Sequence, residues 1–181
     1  LQRESEQAQI MIAFPGHCFG DDRKYAIAIG NQVFGGGLSS RLFQRIREQR
    51  GLAYSVYSGS VSFADTGMLV VGGATAADRL EEFEEALRQE ISEIVSEGIS
   101  EAELQTAKDA IAGSYEMSFD DVSSRMSQLG ATVLHEGRLP DNDGDIERVL
   151  ALTRNEVNDT FSALISAQDT TVVVGPDTSK V

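Results

Sequence analysis

Cysteine occurs once in the chain, as Cys18, and histidine twice, as His17 and His135. A lone cysteine cannot close an internal disulfide, so nothing here speaks for an oxidising compartment. Two histidines far apart in sequence do not make a catalytic zinc site, which takes three protein ligands, often paired on a helix as H-E-x-x-H or its inversion. Basic residues are scarce as well. Fifteen Lys and Arg face 29 Asp and Glu, a formal net charge of −14, with a pI near 4.4. Nucleic-acid affinity rests on Lys and Arg displacing counterions, so the chain is a poor phosphate-backbone binder. No apolar run approaches the roughly 18 residues needed to span a bilayer. Also missing are an initiator Met and a secretory pattern. The polar start Leu1-Gln2-Arg3-Glu4-Ser5 reads as a linker inside a longer protein, and that start with the lack of a targeting pattern suggests a cytoplasmic bacterial setting.

What is present is an ordinary globular mixture, 41% apolar and 24% charged over 181 residues. That length suits one domain, burying about 70% of the unfolded chain's surface. Gln7 to Phe14 alternates, with Ala8, Ile10, Ile12 and Phe14 on one face, and predicts a strand stopped by Pro15-Gly16. Asp21 and Asp22 are candidate caps for a helix running to Phe34. A second helix starts at Ser39 or Ser40, with Leu38, Leu42 and Ile46 as its stripe and Arg41, Arg45, Arg47 and Arg50 on its other faces.

Ala53 to Phe63 and Gly67 to Ala74 predict a hairpin turning at Ala64-Asp65-Thr66. A long amphipathic helix follows from Asp78 to Glu97, with Leu80, Phe83, Leu87, Ile91 and Ile94 in register. Ser100 with Glu103 forms a capping box for helix continuing to Leu134, broken near Met117 to Asp121. Pro140 to Asp145 reads as a loop. Thr153 with Glu156 makes a second capping box, before a helix to Ile165 and a closing strand, Thr170 to Val174. Segregated strands and helices with an antiparallel hairpin favour an α+β fold, one mixed, largely antiparallel sheet covered by helices.

Few motifs carry chemistry. Gly35-Gly36-Gly37 follows a helix and lacks both the G-x-G-x-x-G spacing and a Walker lysine, so it reads as a turn rather than a phosphate loop. Asp141, Asp143 and Asp145 surround Gly144, but the glycine stands at the fourth position and Leu152 at the twelfth, which does not make an EF-hand loop. An acidic turn capping the helix at Ile146 accounts for them. There is no G-x-S-x-G elbow, and Gly113-Ser114-Tyr115 falls within a helix. Glu81, Glu82, Glu84 and Glu85 read as the wet face of the long helix.

One constellation remains. Arg47 falls in the last turn of the second helix and Tyr54 seven positions on, at the start of a strand. A guanidinium and a phenol held together could donate to carbonyl or oxyanion oxygens of a bound chain. Equally, Arg47 could neutralise the helix C-terminus while Tyr54 packs in the sheet; the residues alone leave both open and favour the second.

The segment Phe34-Gly35-Gly36-Gly37-Leu38-Ser39-Ser40-Arg41-Leu42-Phe43, then Ile46-Arg47-Glu48, then Arg50-Gly51-Leu52-Ala53-Tyr54-Ser55-Val56, resembles the pitrilysin/insulinase-type zinc metallopeptidases, which include mitochondrial processing peptidase. It is similar to their C-terminal domain, which does not bind the metal, and the likeness covers nearly the whole chain. The resemblance implies the processing-peptidase-like fold, with a sheet of about four strands. It also implies that residues 1–181 are the substrate-binding half of a two-half enzyme closing like a clamshell around an unfolded peptide.

By that resemblance zinc and catalysis belong to the partner N-terminal half, in the same chain or a separate subunit, through H-x-x-E-H and a downstream Glu. None of that motif occurs here, so the segment alone is expected to be inactive. Arg47 and Tyr54 become substrate-contacting residues that assist the chemistry, and Gly35, Gly36, Gly37, Ser39, Ser40 and Arg41 the chamber wall and its hinge. The implied partners are the zinc-binding half and a peptide, not nucleic acid or membrane. A catalytically silent scaffold or protein-binding domain of the same fold is the other reading, and retention of both Arg47 and Tyr54 favours the peptidase half.

Overall fold

Alternation in the first strand is realised as β1, Gln7–Pro15, where Ala8, Ile10, Ile12 and Phe14 turn inward and are at most 4% exposed. The computed structural model describes residues 7–118 and 120–176; the polar start at Leu1 to Ser5 lies outside them. β1 occupies the interior of a four-stranded sheet with β2, Ser55–Ser62, β3, Gly67–Ala76, and β4, Thr170–Val174. The order is β2-β3-β1-β4, and every pair is antiparallel. The register sets Ile10 opposite Gly73, Ile12 opposite Val71 and Phe14 opposite Leu69, so one face carries a continuous apolar surface.

Helices α1, Lys24–Phe34, α2, Leu80–Glu97, and α6, Arg154–Ile165, cover that face, and α3, Glu101–Ser118, and α5, Asn142–Ala151, pack on α1; α4, Val122–Glu136, buries no residue. Phe34 from α1, Phe83 from α2 and Phe161 from α6 meet the sheet with at most 2% exposure. Each such side chain contributes about 1.5–3 kcal/mol by leaving water. The Phe34 and Phe161 rings meet edge to face, centroids 6.1 Å apart. Gly30 makes this approach possible, because a Cβ there would fall 2.4 Å from the Phe161 ring.

Both capping boxes form. In the first, Ser100 Oγ accepts from the Glu103 amide while Glu103 Oε2 accepts from the Ser100 amide; Thr153 and Glu156 do the same at α6. Truncating Thr153 to Ala is expected to cost about 1 kcal/mol, read as a lower midpoint in urea unfolding.

Three local expectations change. Asp21 does not cap α1: its carboxylate accepts from the amide and guanidinium of Arg23, making a separate turn before the helix. Leu38 leaves the predicted stripe and is 72% exposed, while Leu42 and Ile46 are fully buried. The loop expected over Pro140 to Asp145 is already helix from Asn142, because Asp141 caps it by accepting from the Gly144 amide at 3.2 Å.

Candidate functional site: an arginine and a tyrosine at the end of a π-helix

The second predicted helix is a π-helix, Leu42–Gln49, in which amides reach back five residues, as Arg50 N–H does to the Arg45 carbonyl at 3.2 Å. Such winding is rare and occurs frequently at functional sites. Of the four arginines in it and at its two ends, three bind it to the helices behind. Arg41 donates from Nε and Nη2 to the two carboxylate oxygens of Glu103, at 2.7 and 2.8 Å, and from Nη2 to the Gly98 carbonyl. Arg45 donates to Glu90 and Glu93 on α2, and Arg50 to Gln89. Burial raises the Glu90 carboxyl above its ordinary range against the lowering pull of Arg45.

Arg47 is held differently. The nearest carboxylate, Glu48, stands 3.9 Å from its Nε, beyond hydrogen-bond reach. Its guanidinium carbon instead lies 4.7 Å from the Phe43 ring centroid and 5.2 Å from that of Tyr54, both within cation–π range. The chain delivers Tyr54 there through a tight exit. Gly51 turns at φ +58, a left-handed conformation suited to glycine. The Leu52 amide then donates back to the Ile46 carbonyl at 3.0 Å. The Leu52 carbonyl accepts from Thr75 Oγ1 of β3 at 2.6 Å. Leu52 and Ala53 are buried, and Tyr54 emerges 79% exposed. Its hydroxyl has no hydrogen-bond partner among the described residues. A half-buried guanidinium therefore lies over the ring of a solvent-exposed tyrosine. Sequence reasoning named both but had no role for Phe43, whose only signal was its place four residues before Arg47.

The remaining expected wall residues divide. Gly36 and Ser39 are exposed and Gly37 is half-buried. Gly35 is wedged against the edge strand: its carbonyl accepts from the Ser58 amide at 3.1 Å, and a Cβ would fall 2.4 Å from that nitrogen. It serves close approach, and none of the three glycines has a left-handed φ. Ser40 is 1% exposed, its Oγ accepting from the Phe43 amide at 3.4 Å. Arg41, expected on the wall, points inward instead, because Glu103 and the Gly98 carbonyl satisfy its fork from behind.

The two histidines have different partners. His17 is buried, bonded through Nε2 to Ser62 Oγ at 3.1 Å, and burial lowers its pKa. His135 stacks on Phe19 with centroids 4.0 Å apart. Cys18 is half-buried and free. Among the described residues no three His, Cys, Asp or Glu come together to hold a metal ion, so a zinc ion does not fit this donor set. Among those residues, too, no helix is long and apolar enough to cross a membrane. Asp145 accepts from the Tyr25 hydroxyl at 2.6 Å, so the acidic turn serves α5 and its packing on α1.

Fold and site together define an α+β domain that presents an arginine–tyrosine pair and carries no metal site of its own among the described residues. Comparison with known proteins gives that class a family. The peptidase M16 inactive domain matches residues 1–111, and the chain belongs to that family. It is 34% identical over 175 residues to the uncharacterized zinc protease YmxG of Bacillus subtilis, covering 97% of this chain and 43% of that protein. It is 35% identical over 180 residues to the uncharacterized zinc protease Rv2782c of Mycobacterium tuberculosis, covering 99% of this chain and 41% of that one. The chain thus spans less than half the length of these relatives. A crystal structure of the peptidase M16 inactive domain from Pseudomonas fluorescens superposes with a TM-score of 0.89 at 27% identity, over 98% of this chain and 42% of that one. The inactive peptidase domain of a zinc protease from Bordetella parapertussis shares the fold, with a TM-score of 0.80 at 14% identity over 96% and 94%.

Proposed function

We propose that residues 1–181 form the substrate-binding, non-catalytic half of a zinc endopeptidase, which hydrolyses peptides or unfolded segments in a chamber shared with a zinc-bearing N-terminal half. The observation that supports this is the pairing of Arg47 and Tyr54. The Arg47 guanidinium carbon lies 5.2 Å from the centroid of the Tyr54 ring, and Tyr54 is open to solvent, an arrangement that costs exposed apolar surface and contributes nothing to the core. In this reading Arg47 donates to the substrate main chain. Tyr54 donates to the oxyanion that develops at the scissile carbonyl, or to a carbonyl beside it. Gly36, Gly37 and Ser39 form the part of the wall open to substrate. The bond itself is cleaved on the other half, which would supply the zinc. A cytoplasmic setting belongs to the same proposal, in keeping with a lone cysteine that has no intrachain disulfide.

The test separates the halves. Residues 1–181 expressed alone are expected to bind no stoichiometric zinc and to cleave no unfolded peptide. The chain carrying both halves is expected to do both. Stoichiometric zinc or cleavage by the isolated half would overturn the reading.

A further inference from the structure

The π-helix gives its arginines two kinds of partner. Arg41 and Arg45 spend guanidinium N–H groups on carboxylates. Arg47 lies over two aromatic rings instead, and no hydrogen bond of its guanidinium falls among the described residues. A ring face attracts the guanidinium plane electrostatically and takes up none of the N–H groups around its edge. Arg47 is thereby fixed in direction while its donors stay available.

The two rings are not equivalent. Phe43 is half-buried and belongs to the same helix, one residue from Leu42, which is fully buried. Tyr54 is 79% exposed and stands in the strand approach. Phe43 is therefore the fixed support and Tyr54 the open one. The four-residue spacing from Phe43 to Arg47 is also the spacing from Leu42 to Ile46, both fully buried. The core contacts that anchor the helix thus set where the Phe43 ring stands.

Resting on the proposed substrate role of Arg47, we propose that Phe43 is a positioning residue for substrate: its ring face holds the Arg47 guanidinium so that its free N–H edge meets the peptide main chain. Phe43 touches no reacting atom. Its removal should weaken substrate binding in the ground and transition states alike, which raises KM and leaves kcat nearly unchanged.

The experiment uses the enzyme carrying both halves and an unfolded fluorogenic peptide. Phe43→Leu keeps an apolar side chain of similar reach without a ring face, and is expected to raise KM about tenfold. Phe43→Tyr, which keeps the ring, should stay within about twofold of the parent. In an Arg47→Gln background, Phe43→Leu should have no further effect, since no cation remains to be held. Equal losses in the Leu and Tyr variants would overturn the proposal, as would an undiminished Phe43→Leu effect in the Arg47→Gln background. If Arg47→Gln alone leaves KM and kcat unchanged, the substrate role of Arg47 falls and takes this inference with it. An additive Phe43 effect on top of a real Arg47 effect removes the positioning role only.

Discussion

Replacing Tyr54 by Phe in the enzyme carrying both halves is expected to lower kcat by about 10²–10³, the usual cost of removing one donor aimed at a developing oxyanion. The substitution deletes one oxygen and keeps the ring. Because that ring faces Arg47 at 5.2 Å, the arginine keeps its second support and the loss isolates the hydroxyl. No described residue depends on that hydroxyl, so thermal stability should not move. Arg47→Ala removes the proposed main-chain contact and should act chiefly on KM. Zinc content, measured by metal analysis of the same preparations, should equal that of the parent for both variants. A Tyr54→Phe enzyme with parental kcat and parental zinc would show that the phenol does not serve the reaction.

How far these roles were legible in the sequence depended on the range over which each is determined. Parity in β1 was readable because alternating Ala8, Ile10, Ile12 and Phe14 must share a face. The capping boxes at Ser100 and Thr153 were readable because both partners lie within three residues. The break expected near Met117 to Asp121 lies between α3 and α4, where Asp121 accepts from the Ser123 and Ser124 amides to start the new helix. The direction of Arg41 could not be read in this way. It is decided by Glu103, 62 positions away, and by the Gly98 carbonyl, which no periodicity connects to it. Glu103 was legible as a cap and illegible as an anion for Arg41, although one carboxylate performs both tasks. The spacing from Arg47 to Tyr54 allowed a site but by itself favoured a neutralised helix end. The family likeness pointed to a site, and the exposed phenol and the two-ring cradle support it physically. Winding as a π-helix had no local signal, since Leu42 and Ile46 stand four apart, a spacing an α-helix also satisfies.

The inward turn of Arg41 leads to the second large effect. Arg41→Ala is expected to destabilise the domain by about 3 kcal/mol at pH 7, because it strips a partly buried carboxylate of its cation, while the contacts of Arg45 and Arg50 with α2 still hold the π-helix in place. The Arg41 guanidinium, together with the Ser100 amide and hydroxyl, holds the Glu103 carboxyl down to about 2 from the ordinary value near 4.5. A carboxyl whose pKa is lower when folded than when unfolded stabilises the fold above its unfolded value. That contribution disappears as pH falls from about 4.5 toward 2. With the Glu103 side chain 31% exposed, solvent screening limits its share to about 2 kcal/mol. Urea unfolding at pH 7 and again near pH 2.5 should therefore show the gap between parent and Arg41→Ala narrowing sharply in acid. Arg41→Lys should recover only part of the loss, since one ammonium cannot span both carboxylate oxygens and the Gly98 carbonyl as the guanidinium fork does. A gap of constant size across that range would mean that Arg41 acts by packing rather than by charge. The same variant separates structure from site: at temperatures where it remains folded, its KM and kcat in the complete enzyme should match the parent, as they would not for a residue on the wall.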